Sequence, residues 1–273
     1  KKESIFIPFY PFRRLIELYI TIYSLFFFLK DFILNEKPDL IISRNLFAVY
    51  FYSFFFKKII YETHIPEKGI RKLIQKKIIK NKIKTIVITE NLLNYFNSKN
   101  FIDNNRKKFT NLFVLSDAAK YYDRKNNEYK IKQIRKLLIN KITTDKSDFL
   151  IGYFGHFYKG SGIDKINILA NKNKEVTFFL FGGDEEYINK NKKNNFNKNI
   201  IFFGYLNPGD VYNYMSAMDL LILPYDNKVF LKNQKTNKAL WMSPLKLFEY
   251  MAVSVPILCS DLQVFNNILK NGY

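Results

Sequence analysis

The sequence predicts an α/β protein built as two consecutive Rossmann-like, doubly wound units, each a parallel sheet flanked by helices. Short apolar runs of strand length alternate along the chain with amphipathic stretches of helical period, the pattern of parallel sheets covered on both faces. A polar, lysine-rich stretch from Tyr121 to Ser147 interrupts the alternation, which then starts again. The expected boundary lies near residue 145, giving an N-terminal domain over 1–145 and a C-terminal domain over 146–273. No shorter repeat is visible.

In the first half the apolar runs read as strands at Asp39 to Ser43, Lys58 to Glu62, Thr85 to Ile88 and Asn111 to Leu115, with helices between them. Thr89 is placed to cap the helix that starts at Glu90, because a threonine hydroxyl can accept from an amide of the first turn. Ile131, Ile134, Leu137 and Leu138 mark one amphipathic helix inside the lysine-rich stretch. In the second half the strands are Phe149 to Phe154, Val176 to Phe181, Ile200 to Phe203, Asp219 to Pro224 and Val255 to Cys259.

Two other apolar stretches, Leu18 to Leu29 and Leu46 to Phe56, fall short of the roughly 20 residues that cross a bilayer. Glu17, Lys30 and Asp31 close the first, and Lys57 and Lys58 the second. Buried core helices are the expectation for both, with an in-plane interfacial helix as the alternative.

With 48% hydrophobic and 25% charged residues, the composition is that of an ordered globular chain. A single cysteine, Cys259, excludes an internal disulfide framework and fits a reducing compartment. The chain opens at Lys1 without a methionine and stops at Tyr273 just after a helical pattern, so it reads as a fragment missing both ends, and the lack of a secretory signal carries no weight. The formal charge is +20. Tracts such as Asn189 to Asn199 mix lysine and asparagine without pattern, which describes a solvated basic surface that also favours anionic lipid. No nucleic-acid motif accompanies the charge, and nucleic acid is not an expected partner.

In doubly wound sheets ligands bind beyond the carboxyl ends of the strands. The segment Trp241 to Asp261 is the most informative of those that follow a strand. Ser243 followed by Pro244 reads as a helix start, with serine as N-cap and proline at the first helical position. Lys246 stands in the first turn, where the helix dipole disfavours a cation by roughly 0.3–1 kcal/mol unless an anion sits in front of it. The competing explanation is a Lys246–Glu249 surface pair at i,i+3. Glu249 is hemmed by Leu247, Phe248, Tyr250, Met251 and Ala252, so its carboxylate needs donors, which ribose hydroxyls supply.

Glycines punctuate the second half where strands end: Gly155, Gly160 and Gly162 after the first strand, Gly182 and Gly183 after the second, and Gly204 after the third. Each permits a tight turn or a close approach of backbone to a ligand. They spell neither GxGxxG nor GxxxxGK[ST], so neither a nicotinamide enzyme nor a P-loop kinase is supported. The only two histidines, His64 and His156, each follow a strand and read evenly as structural or functional residues. They show no metal-ligand spacing, and no metal is expected.

The segments KPDLIISRN (37–45), IIYETHIPEKG (59–69), KTIVITENLLNYF (84–96), LIGYFGHFYKGSGID (150–164), FFLFGGDEEYI (178–188), IIFFGYLNPGDVYNYMSAMDLLILPY (200–225) and SPLKLFEYMAVSVPILCSD (243–261) resemble, in order, the family 4 retaining glycosyltransferases of the GT-B fold. The last two are the specific ones. The resemblance implies two Rossmann-like domains facing across a cleft, a nucleotide diphosphate sugar as co-substrate, no separate cofactor, and transfer to a hydroxyl acceptor with retained configuration. It implies that Glu249 holds the ribose, that Lys246 and the amides of Ser243 and Leu245 beside Pro244 hold the diphosphate, and that the backbone of Gly204 and Tyr205 frames the base. Gly155, His156, Lys159 and Gly182 would complete the donor site, and His64 would face the donor sugar and the acceptor.

The sequence departs from the family at several positions. Trp241 stands where the first glutamate of the family's pair falls, His156 where arginine is common, and Ser161 at the usual lysine position, with Lys159 nearby as a substitute. The first strand-loop of the first domain and the last helix are missing. The loop 225–242, with Lys228, Lys232, Lys235 and Lys238, is read either as a lid over the donor or as plain disorder. By analogy and charge, the acceptor is a cell-envelope glycan or lipid-linked saccharide. The protein is expected in the cytoplasm, peripheral at the inner face of the membrane. The alternatives are a nucleotide-sugar epimerase and a basic membrane- or nucleic-acid-binding module on a degenerate scaffold.

Overall fold

The computed structural model of the chain describes residues 16, 19–20, 22–23, 26, 30, 38–98, 101, 108–142, 148–183, 188–189, 196–228 and 240–269. The chain forms two compact units, Lys1–Ser116 and Asp117–Tyr273.

The described part of the first unit alternates strand and helix: β1 (Ile41–Ser43), α1 (Leu46–Tyr52), β2 (Ile59–Thr63), α2 (Ile70–Lys80), β3 (Lys84–Val87), α3 (Glu90–Phe96) and β4 (Leu112–Val114). The strands lie side by side in chain order, all parallel. Asn45 caps α1 through its side-chain oxygen, and the Thr89 hydroxyl accepts from Leu92 N–H at the start of α3, as the sequence predicts. Ile59 and Tyr61 of β2 join Leu46, Val49 and Ile78 in one buried cluster. On the opposite side of the pleat Ile42 and Phe113 are 57% and 49% exposed, so this sheet, unlike the expectation, has one covered face among the described residues.

The second unit contains α4 (Glu128–Ile139), β5 (Leu150–Phe154), α5 (Ile163–Lys172), β6 (Thr177–Phe181), β7 (Ile200–Gly204), α6 (Val211–Ser216), β8 (Leu220–Leu223), α7 (Leu245–Ala252), β9 (Ile257–Cys259) and α8 (Gln263–Asn266). Its parallel sheet runs β7-β6-β5-β8-β9. Chain order therefore reverses direction between β5 and β8, the switch point at which doubly wound sheets open a crevice. Every residue of β5 and β6 is buried. Phe154, Phe179, Phe181, Leu221 and Leu223 pack on one side with Leu247 and Tyr250. Tyr153, Phe178, Leu180 and Ile222 pack on the other with Ile163 and Ile166.

The units divide between residues 116 and 117, ahead of the boundary near residue 145 that composition suggests. The described part of the lysine-rich stretch docks on the second unit. Ile131, Ile134 and Leu138 of α4 are buried in the second unit's core. Arg135 bonds the carbonyls of Ala217 and Asp148 and the Asp219 carboxylate, while Arg124 bonds the carbonyls of Val253 and Ser216.

Of the two long apolar stretches, the second supplies a core helix as expected, and the described residues of the first do not. In the first, the described helical residues Tyr19, Ile20, Ile22, Tyr23 and Phe26 are all more than half exposed. In the second, α1 buries Leu46, Ala48, Val49 and Tyr52 but leaves Phe54 and Phe55 outside. No helix among the described residues is long and apolar enough to cross a membrane. The central part of the 225–242 loop lies outside the described residues.

Candidate functional site

The carboxyl ends of β5, β6 and β7 finish in Gly155, Gly182 and Gly204, and the backbone there continues the sheet's hydrogen bonding. Gly155 N–H donates to Phe181 O at 2.9 Å, and Gly182 N–H to Gly204 O at 2.7 Å. Gly155 and Gly182 have φ of +148° and +108°, a region that favours glycine. A Cβ on Gly155 would lie 1.7 Å from Lys246 Nζ, and one on Gly182 would lie 2.2 Å from Gly155 O. The glycines thus make room for one another and for a lysine that arrives from far along the chain.

Lys246 is carried by α7, whose buried Leu247 and Tyr250 seat the helix on the sheet. The Tyr250 hydroxyl accepts from Phe154 N–H at 2.9 Å, fixing α7 to β5. From this helix the lysine reaches back over Gly155 to the switch point. Its Nζ stands 5.0 Å from the centre of the Tyr153 ring and 5.4 Å from that of Tyr225, and 3.4 Å from the Tyr153 hydroxyl. Desolvation works against the ammonium, but the oxygens of Tyr153 and Tyr225 outweigh it and hold its pKa above that of an ordinary lysine. The two hydroxyls thus favour the charged form that burial disfavours. Two phenol faces stabilise it without cancelling its charge.

Glu249, one turn along α7, is half-buried. It makes no hydrogen bond or ion pair with any described residue. Burial raises its pKa, and Lys246 opposes that shift. The i,i+3 surface pair considered from the sequence does not form. Among the described residues, the site thus holds a cation without a carboxylate partner beside a carboxylate without a donor.

The start of α7 differs from the sequence expectation. The capping position is Pro244, and no side chain caps the helix. The Ser243 hydroxyl instead accepts from Asp117 N–H at 3.2 Å, and Leu245 N–H donates to Ser243 O at 2.9 Å. Ser243 secures the entry strap of the second unit, and of the two amides expected to face an anion, that of Leu245 is already engaged. Phe248 N–H and Leu247 N–H both point to Pro244 O. A proline at the cap, lacking a hydroxyl, explains why the serine is free for the strap.

His156 and Lys159 are exposed on the loop after β5. The imidazole stacks on Tyr158 with ring centres 4.9 Å apart, and the Tyr205 hydroxyl lies 3.4 Å from Nδ1. Tyr205, 64% exposed after Gly204, offers a free aromatic face beside them. Ser161 is buried between Gly160 and Gly162. A Cβ at Gly162 would lie 1.9 Å from Pro224 O, so the loops after β5 and β8 touch closely. Trp241 is partly buried. His64 belongs to the first unit, where it follows β2.

Two residues that sequence reasoning passes over shape this site. Tyr153 lies inside β5 and Tyr225 just beyond β8, and neither spacing nor residue type marks them. They become neighbours only because β5 and β8 pair.

Residues 149–273 match the family model described as Glycosyl transferases group 1. The alpha-galactosylglucosyldiacylglycerol synthase of Streptococcus pneumoniae (strain ATCC BAA-255 / R6) is 29% identical over 136 residues, covering 46% of this chain and 32% of that protein. Among solved structures, HepE from Anabaena in complex with UDP superposes with a TM-score of 0.62 at 15% identity, covering 86% of this chain and 63% of that one. The catalytic domain of starch synthase IV from Arabidopsis thaliana, bound to ADP and acarbose, superposes with a TM-score of 0.59 at 11% identity over 94% and 64% of the two chains. These likenesses show the fold: two parallel-sheet α/β units of the GT-B kind. The chain spans about a third of the curated relative and under two thirds of the HepE chain.

Proposed function

We propose, from the premise that residues 149–273 are a group 1 glycosyl transferase module, that the protein transfers a glycosyl group from a nucleotide diphosphate sugar to a hydroxyl acceptor. The observation that carries this reading is the pairing, beside the sheet's switch point, of Lys246 with Glu249, a cation and a carboxylate that find no ion-pair partner among the described residues. A donor's diphosphate completes the first and its ribose hydroxyls complete the second. As the glycosyl bond breaks, negative charge grows on the leaving diphosphate. Lys246 is already in place to stabilise it without reorganisation. Tyr205 and His156 give the base an aromatic surface, and Gly155, Gly182 and Gly204 let backbone approach it closely.

His64 is assigned to the sugar and the acceptor through the resemblance of its segment. Retention of configuration is assigned on the likeness of 243–261 to the retaining family. A lipid-linked or cell-envelope acceptor is supported by the likeness to the pneumococcal alpha-galactosylglucosyldiacylglycerol synthase. The +20 charge supports a peripheral position on an anionic membrane face in the cytoplasm.

A thermal-shift screen against UDP, GDP, ADP and CMP tests the reading. A nucleotide at a hundred times its Kd stabilises by about 2.7 kcal/mol. Lys246→Met and Glu249→Gln should each remove that protection while the unliganded melting temperature stays near the parent's. Protection by no nucleotide, with salt-sensitive binding to any polyanion instead, would leave a basic binding module in place of a transferase.

A further inference from the structure

The carboxyl ends of β1 and β2 carry a polar cluster around His64, of which the proposed function uses the imidazole alone. Arg44 follows β1, Glu62 lies in β2 and His64 follows it. An Arg44 guanidinium nitrogen lies 2.9 Å from His64 Nδ1, and a Glu62 carboxylate oxygen lies 2.6 Å from Nε2. Arg44 Nε stands 3.6 Å from the same oxygen.

The donor chemistry of these groups settles where the proton is. A carboxylate can only accept, so Nε2 carries the hydrogen and donates it to Glu62; Nδ1 then keeps its lone pair, which the Arg44 guanidinium, able only to donate, engages from the exposed side. The ring sits in its Nε2–H tautomer with both nitrogens engaged.

The backbone around this ring is fixed by interactions away from the cluster. Gln75 is fully buried; its Oε1 accepts from Glu67 N–H at 3.0 Å, and its amide nitrogen donates to Thr63 Oγ1, also at 3.0 Å, and to Ile65 O at 3.3 Å. Arg71 grips the Glu67 carboxylate with two bonds of 2.8 Å. The strand end on one side of His64 and the loop on the other are thus tied to α2. The two partners of the ring differ in their hold: the Glu62 side chain is 29% exposed, that of Arg44 64%. Glu62 is the fixed neighbour and Arg44 the one that can leave.

We propose that Glu62 is a positioning residue for His64. By holding Nε2–H it turns Nδ1 into the nitrogen that accepts a hydrogen bond from a substrate hydroxyl, and Arg44 occupies Nδ1 until that hydroxyl arrives. The inference rests on the reading that His64 serves glycosyl transfer, but the tautomer itself can be measured without turnover.

The test uses the full chain with ¹⁵N-labelled histidine. Its spectrum contains only two rings, because the sequence has two histidines. The parent should show His64 protonated at Nε2 and bare at Nδ1. Glu62→Ala should mix the two tautomers. Glu62→Gln keeps an acceptor oxygen and should preserve the parent signal, and Arg44→Ala should preserve it too. Unchanged His156 resonances show that each variant is folded. With whichever nucleotide sugar protects the protein, Glu62→Ala should lower kcat by about 100-fold and leave the donor KM within about twofold, and Glu62→Gln should recover most of the loss. A parent ring protonated at Nδ1, a tautomer indifferent to Glu62→Ala, or a kcat indifferent to it would overturn the proposal. Intact tautomer effects in a protein that no nucleotide protects would overturn the transferase reading instead and leave Glu62 as the residue that sets the ring.

Discussion

The second sheet is buried on both faces and the first on one, and the polar groups at their strand ends differ in parallel. Every position of β5 and β6 is buried, whereas burial alternates along β2 and leaves Ile42 of β1 and Phe113 of β4 open. At the ends of the first sheet, Arg44, His64 and Glu62 satisfy one another. At the ends of the second, Lys246 meets only the rings and hydroxyls of two tyrosines among the described residues, and Glu249 has no hydrogen-bond or ion-pair partner among them. The rigid, doubly covered sheet can hold uncompensated charge in place, because the packing that fixes α7 on β5 is independent of the charges. An unsatisfied pair on such a scaffold is what a ligand completes, while a self-satisfied cluster must exchange a partner to act.

The largest effect should separate the two sheets. Phe154 is 4% exposed and stacks on Phe181 with ring centres 4.3 Å apart. Phe154→Ala should destabilise by about 3–5 kcal/mol in denaturant unfolding, and Phe113→Ala by no more than about 1 kcal/mol. An equal loss at Phe113 would show that the open face is covered after all.

A smaller effect sharpens the contrast at the strand ends. Gly155→Ala places a methyl 1.7 Å from Lys246 Nζ at a φ of +148°, so the lysine must shift and the backbone strains. Stability should drop by about 1–3 kcal/mol. Affinity for the protecting nucleotide should fall at least tenfold, read by calorimetric titration, if Lys246 holds the diphosphate. Gly209→Ala, outside the proposed donor site, meets no atom within 4 Å and should leave both the lysine and the affinity unchanged. Loss of affinity in both variants alike would deny Lys246 its special place.

The smallest effect is a pH dependence. Burial raises the pKa of Glu249 in the folded protein, so the native state binds a proton more readily there than the unfolded chain does. That contribution favours folding as pH falls toward the unfolded value and is lost as pH rises through the folded pKa. Glu249→Gln should flatten this slope in melting temperatures measured between the two values. An unchanged slope would mean that the carboxylate is better solvated than its position on α7 indicates.

Much of the scaffold could be read directly from residue pattern. Apolar runs placed all nine described strands to within two residues, since a parallel strand must be apolar to be buried. Thr89 revealed its helix by chemistry that acts within three residues. Glu62 and His64 were legible in principle: residues two apart at a strand end share a face. Ser243 was misjudged because its partner, Asp117 N–H, comes from far outside the motif. The lysine-rich stretch looked like a linker because polarity is visible along the chain, whereas the docking of Ile131 and Ile134 depends on what they meet.

The sequence alone determined the alternation of strand and helix, the glycines at the strand ends and the cation in the first turn of α7, because each follows from local geometry or from the period of burial. Only the tertiary structure decided that Lys246 lies over Gly155 between Tyr153 and Tyr225, that Glu249 finds no partner among the described residues, and that Arg44 and Glu62 share one imidazole. These facts depend on which strands pair and which helix crosses which sheet, and pairing across a fold brings together side chains whose separation along the chain carries no trace of their contact.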